Sequence, residues 1–177
     1  MISLQNGAIV GCEVFARSRV EGLKTPDEMF LAAARLKLEA ELSRNLRLVG
    51  FEKSTKMGQA PRLFLNTHAD ELATLDLFES LRRIREINQA LPITLEICEP
   101  AARDKDLIYR FRQILTSLDM GLAYDHFGMG QTGRSELAAV RPDYVKFDMH
   151  LIREIHLAST PQRALLANFV QMVRDLG

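Results

Sequence analysis

The sequence predicts an α/β fold of about five β/α units, with the strands parallel in one sheet and joined by right-handed crossovers. Three observations predict it. Short β-rich runs alternate with longer stretches carrying helix signals, and each β-rich run sets polar side chains on one alternating face. The composition is that of an ordinary globular domain. The 177 residues amount to about one domain at ~150 residues each, enough to bury roughly 70% of the unfolded surface. A hydrophobic content of 47% with 26% charged residues excludes a disordered chain.

The elements follow in order. AIVGCEVFAR, Ala8 to Arg17, is the first strand. Thr25-Pro26-Asp27-Glu28 then supplies an N-cap, a proline at the first helical position and the glutamate of a capping box. A helix, broken or continuous, follows to near Gly58. Next come a strand at Arg62 to Thr67, a helix from about Asp70 to Ala90 and a strand at Ile93 to Cys98. A helix from about Asp104 to Asp119 is placed to end at Gly121. The strand Gly121 to His126 leads into the loop FGMGQTGRS, where Gly128, Gly130 and Gly133 serve turns, and a short helix near Glu136 to Val140. The last strand, Asp143 to Asp148, precedes helical sequence to Gly177 that is interrupted around Ser159 to Pro161.

Charge and hydropathy exclude several classes. Lys+Arg and Asp+Glu number 23 each, so no whole-chain field attracts a nucleic-acid polymer or an anionic membrane. No apolar run approaches the ~18 residues of a membrane span, and MISLQNG lacks the basic and apolar regions of a signal peptide, so a cytoplasmic chain is expected. Cys12 and Cys98 make neither a disulfide scaffold nor a zinc site, and Cys12 reads as small core filler. The glycine loop is no phosphate-cradling P-loop, because no Gly-Lys-Ser/Thr follows it.

Parity within the strands locates the chemistry. Strands buried on both faces read as continuous aliphatic runs, and these do not. Ala8, Val10, Cys12, Val14 and Ala16 share one face of the first strand, leaving Glu13 and Arg17 on the other. Phe64 and Asn66 oppose Leu63 and Leu65; Thr94 and Glu96 oppose Ile93, Leu95 and Ile97. Asp125 opposes Leu122 and Tyr124, and Lys146 and Asp148 oppose Val145 and Phe147. Aliphatic faces suit covering helices, so the polar faces converge on one interior. Most of the polar groups sit near C-terminal strand ends, where open α/β sheets and β/α barrels build their sites. Carboxylates gathered there repel one another or shift their pKa values unless a cation is bound, and an all-oxygen set suits Mg²⁺, Mn²⁺ or Ca²⁺ better than zinc.

These segments resemble the EAL-type cyclic di-GMP phosphodiesterases. GCEVFAR is similar to the segment that names the family, with Glu13 in the place of its metal-binding glutamate and Val14-Phe15 replacing Ala-Leu. FLNTHADEL resembles the strand ending in a metal-binding asparagine, here Asn66, and LEICEP the strand of a third ligand, here Glu96. YDHFGMG resembles the Asp-Asp-Phe-Gly-x-Gly loop, with Asp125 matching the first aspartate and His126 replacing the second. DYVKFD resembles the strand of the active-site lysine, here Lys146. The resemblance covers residues 1–177 and implies a TIM-type β/α barrel, incomplete in this chain. Such barrels run to about 250 residues. The family's first strand, in whole or part, and its last two strands are therefore expected to lie outside this stretch, including a strand whose glutamate serves the metal site.

The resemblance further implies hydrolysis of cyclic di-GMP to the linear dinucleotide by a metal-activated water. Glu13, Asn66, Glu96 and Asp125 would hold Mg²⁺ or Mn²⁺, and Lys146 and Asp125 would carry the catalysis. Arg17 matches an arginine that would hold a phosphate; Phe15, Met129 and Asp148 are further ligand candidates. His126 offers nitrogen where the family has a carboxylate, which Mg²⁺ accepts poorly. The expected function is therefore a degenerate EAL domain that binds cyclic di-GMP as a receptor or regulatory module with little hydrolysis. An active phosphodiesterase and a protein-interaction module without nucleotide are the alternatives. Other readings stay open residue by residue. Glu13 pairs with Arg17, Asn66 is a turn residue, or Lys146 and Asp125 form a buried ion pair. Glu99 rivals Glu96 but lies on the aliphatic parity, and His126 is a bystander or an altered ligand. His68, His150 and His156 read as surface or cap residues. Self-association and fused signalling domains are compatible with the sequence.

Overall fold

The structure is a computed structural model that describes residues 1–56, 61–98, 104–128 and 134–175. Its elements run β1 (Cys12–Glu13), α1 (Pro26–Leu36), α2 (Glu39–Thr55), β2 (Leu63–Thr67), a 3₁₀ turn (Ala69–Glu71) and α3 (Leu75–Ile87). They continue β3 (Ile93–Cys98), α4 (Lys105–Ser117), β4 (Gly121–Phe127), α5 (Arg134–Val140), β5 (Tyr144–Phe147), α6 (Met149–Ile152) and α7 (Thr160–Asp175).

All five strands are parallel, and their order in the sheet is their order in the chain. An order that never reverses, with crossovers of one hand, puts every crossover helix on the same face. The sheet therefore curls into an incomplete barrel instead of a doubly wound layer, and its inner face is left free of helices.

The core lies between sheet and helices. Leu63 and Leu65, Ile93, Leu95 and Ile97, and Leu122 and Tyr124 are buried against Phe51, Leu81, Ile84, Ile108, Phe111 and Leu115. Each such aliphatic or aromatic side chain contributes about 1.5–3 kcal/mol by leaving water, which fixes the strand parity. On the inner face a lower layer of Phe64, Thr94 and Tyr144 fills the barrel. Phe64 meets Tyr144 edge to face at 5.0 Å, and Arg62 lies over the Tyr144 ring while donating to Thr94 Oγ1 at 3.1 Å. Gly11 is required here, because a Cβ would stand 2.6 Å from Phe64 Cε2.

Local signals explain the boundaries. The capping box forms: the Glu28 N–H donates to Thr25 Oγ1, and the Thr25 N–H donates to the Glu28 carboxylate. The helical sequence before Gly58 is broken at Lys37, whose left-handed backbone (φ 58°) separates α1 from α2. Residues 57–60, Gly58 among them, lie outside the described residues, as do Glu99, Met129, Gly130 and Gly133.

Four expectations are corrected. The first strand shrinks from Ala8–Arg17 to Cys12–Glu13, because β1 is an edge that, among the described residues, pairs only with β2; upstream, Ile9 bridges back to Ile2 instead. Cys12 is exposed and not core filler, since the packing against α2 is made by Val14. The helix expected from Asp70 opens as the 3₁₀ turn and becomes regular only at Leu75, where Thr74 caps it. Gly121 does not end α4. Asp119 takes the left-handed conformation (φ 52°), and Arg85 donates to the Leu118 and Asp119 carbonyls that the helix end leaves open.

Candidate functional site

The inner face at the C-terminal strand ends gathers the polar side chains. Asn66 and Glu96 are register partners across β2 and β3, and Cys98 is the register partner of Asp125 across β3 and β4. Carboxylate oxygens of Glu13, Glu96 and Asp125 lie within 4.8 Å of one another. The Lys146 ammonium stands among them, 2.9 Å from Glu13 Oε2, 2.9 Å from Glu96 Oε1 and 3.5 Å from Asp125 Oδ1. It donates a hydrogen bond to Glu13 but lies off the hydrogen-bond direction of Glu96. Asn66 reaches the cluster from the side, donating from Nδ2 to Glu13 Oε1 at 3.5 Å.

Glu96 carries most of the electrostatic tension. Its side chain is fully buried, and among the described residues neither carboxylate oxygen has a hydrogen-bond partner. Burial pushes its carboxyl up to about 7; Lys146 opposes this, and the charges of Glu13 and Asp125 add to it. Burial pulls the Lys146 ammonium down, but its contacts with Glu13, Glu96 and Asp125 outweigh that and leave it above its ordinary value. With all groups ionised, the three carboxylates at −3 and the ammonium at +1 leave −2. Buried Glu96 oxygens without a hydrogen bond among the described residues, and the excess negative charge, fit a hard divalent cation held by oxygen.

A bulge decides what happens at His126. From Tyr124 to Phe127, β4 advances three residues while β5 advances two, Val145 to Phe147. Tyr124 and Phe127 both stay in the core, so the extra residue turns Asp125 and His126 together toward the site. His126 takes the left-handed backbone conformation (φ 56°), which histidine tolerates better than most residues. Its Nδ1 is 2.7 Å from Asp148 Oδ2, and its Nε2 is 3.5 Å from Asp125 Oδ2. The hydrogen bond to Asp148 raises the imidazole's pKa against burial, with help from the Asp125 charge. The same bond, with the His150 N–H donating to Oδ1, holds the Asp148 carboxyl below the usual range.

The remaining candidates are dispersed. Glu13 is paired with Lys146 and not with Arg17, whose guanidinium lies over the Phe15 ring at 5.7 Å and donates to the Ala16 carbonyl. Phe15 is 61% exposed. Asp148 caps α6, and His68 accepts the Asp70 N–H at the 3₁₀ turn. Sequence reasoning missed the His126–Asp148 pair, because strict alternation puts His126 on the other face. It also missed a buried group behind the site, Ser43 and Arg47 of α2 with Glu71. The one available signal was the helical spacing of Ser43, Arg47 and Gly50.

Comparison with known proteins agrees with this geometry. Over 112 residues the chain is 30% identical to the cyclic di-GMP phosphodiesterase PdeR of Escherichia coli (strain K12). That match takes in 60% of this chain but 17% of the relative, so the chain spans far less than two thirds of that protein. Among solved structures, the complex of the PaMucR phosphodiesterase with c-di-GMP superposes with a TM-score of 0.84 at 24% identity, over 99% of this chain and 77% of that one. The calcium and cyclic di-GMP complex of Klebsiella pneumoniae BlrP1 superposes with a TM-score of 0.83 at 26% identity, over 98% of this chain and 44% of that one. The family model for the EAL domain matches residues 1–177, and with its five-stranded partial barrel and its inner carboxylates the chain belongs to that family.

Proposed function

We propose that this chain is a degenerate EAL domain that binds cyclic di-GMP as a signalling receptor or regulatory module, with little or no hydrolysis by the chain itself. The observation that carries the reading is His126. It stands where the family's loop has a second carboxylate, and its imidazole is engaged by Asp148. A nitrogen so engaged is a poor replacement for an oxygen ligand of Mg²⁺ or Mn²⁺.

Ligand binding depends less on that position. Arg17 and Phe15 are both exposed beside β1, so the guanidinium can fork onto a phosphate while the ring offers apolar surface to a guanine base. Glu13, Asn66, Glu96 and Asp125 would hold the metal. A bound divalent cation would supply an activated water and charge stabilisation at the phosphate. Lys146 would hold a proton or orient water, and Asp125 would act beside it. Asp148, a further ligand candidate, is tied to His126 and fixes the direction of that ring. The names of PdeR and of the PaMucR and BlrP1 complexes support cyclic di-GMP as the ligand class.

The intact cluster of three carboxylates and a lysine favours a second reading, an active metal-dependent phosphodiesterase in the full-length protein. One experiment separates the two. The purified chain is titrated calorimetrically with cyclic di-GMP, with and without Mg²⁺ or Mn²⁺, and the mixture is assayed for the linear dinucleotide. Binding without product is expected. Turnover transfers the conclusion to the enzyme, and no heat in either titration leaves a protein-interaction module and ends the nucleotide reading.

A further inference from the structure

We propose that helix α2 sets the geometry of the carboxylate cluster from behind, with Ser43, Arg47 and Gly50 as positioning residues for Asn66 and Glu13. The inference deepens the reading of that cluster as a cation site, and rests on it for its metal readout.

Steps of four and three residues put Ser43, Arg47 and Gly50 on one face of the helix. All three are buried. Ser43 Oγ accepts the His68 N–H at 3.0 Å, which pins the chain two residues after Asn66. The Arg47 guanidinium forks onto both oxygens of Glu71, donates to Ser80 Oγ at 3.0 Å and approaches Thr67 Oγ1 at 3.5 Å. Thr67 is the residue next to Asn66. Phe30 of α1 stacks on the His68 ring at 5.0 Å and closes the same segment from the other side. The C-terminal end of β2 is thus held at the Thr67 hydroxyl and at the His68 backbone N–H, just past the amide that faces the cluster.

Gly50 extends the support to Glu13. Strand β1 is two residues long and, among the described residues, pairs only with β2, the Cys12 and Val14 N–H groups donating to the Arg62 and Phe64 carbonyls. Val14 seats in the notch of Gly50, where a Cβ would stand 2.5 Å from Val14 Cγ1. Anything that moves α2 therefore moves Val14, and with it the carboxylate one residue before. A buried ion pair such as Arg47–Glu71 is a poor source of stability compared with apolar packing, and here it leaves the Arg47 Nε without a hydrogen-bond partner among the described residues. Its fixed, planar fork supplies a defined position for the strand end, which apolar packing would not.

Three variants of the whole chain test the proposal: Ser43→Ala, Gly50→Ala, and the double change Arg47→Met with Glu71→Leu, which keeps the volume and removes the pair. Each is followed by melting temperature, by amide NMR of the Asn66 side chain, and by calorimetric titration with Mn²⁺ alone. We expect folded proteins with shifted Asn66 side-chain resonances, and Mn²⁺ affinity reduced about tenfold, the scale of lost support behind a metal ligand. If the double variant does not fold, the two single changes carry the test. Unmoved Asn66 resonances in folded variants would overturn the proposal, as would moved resonances with unchanged Mn²⁺ affinity. Moved resonances in a chain whose wild type takes up no Mn²⁺ would support the positioning role and remove the cation reading instead.

Discussion

Lys146 Nζ lies 2.9 Å from Glu13 Oε2 across 133 residues of sequence, and this contact joins the first and last strands of the partial barrel. The same ammonium is the nearest positive charge to the buried Glu96. It therefore offsets part of the charge gathered in the cluster.

Replacing Lys146 with methionine should destabilise the chain by up to roughly 3 kcal/mol, the scale of losing one partner from a buried ion pair, with the loss limited by protonation of Glu96, whose carboxyl burial already pushes up to about 7. Added Mn²⁺ should restore much of the loss by neutralising the same carboxylates. Urea unfolding with EDTA and with Mn²⁺ measures both; equal curves for wild type and variant would remove Lys146 from this role.

His126→Asp should restore an oxygen ligand but also set a carboxylate beside Asp125 and Asp148. We expect a lower melting temperature in EDTA, recovered by Mn²⁺, with increased Mn²⁺ uptake. A variant as stable as wild type in EDTA and no better at taking up metal would show that the position has no bearing on cation binding.

Asp143, just before β5, gives a pH dependence of its own. Burial pushes its carboxyl up, but hydrogen bonds from Arg112 and from the Leu122 N–H prevail and hold it below its ordinary value of 3.8. A depressed folded-state pKa adds stability above the unfolded value and loses it as pH falls through the folded one. Wild type should therefore lose an increment of stability below about pH 4 that Asp143→Asn does not lose. Parallel unfolding profiles of the two proteins from neutral pH to acid would contradict this account.

Gly11→Ala should cost about 1–3 kcal/mol by overpacking, since the new methyl would meet the Phe64 ring and disturb its contact with Tyr144. Phe64→Leu in the same chain should relieve part of that cost. A double-mutant cycle of thermal unfolding that gave strictly additive changes would place the strain elsewhere.

Much of this site was legible because strand parity is a local property. Glu13, Asn66, Glu96, Asp125 and Lys146 stand on the parity opposite to the aliphatic residues, and burying Leu65, Leu95 and Tyr124 under helices leaves them one direction to face. The capping box at Thr25 was legible for the same reason, since its partner lies three residues away. His126 was not. Its direction depends on an extra residue in β4 relative to β5, and a register shift exists only between two strands.

Alone, the sequence determined the units, their order, the two faces of each strand and the chemical character of the inner one, because hydrophobic periodicity acts over a few residues. Only the tertiary structure decided that Lys146 is shared among three carboxylates, that His126 turns to Asp148, and that Ser43 and Arg47 hold the end of β2. Those contacts join groups 21 to 133 residues apart. Their partners are set by how the strands and helices pack, which no local pattern encodes.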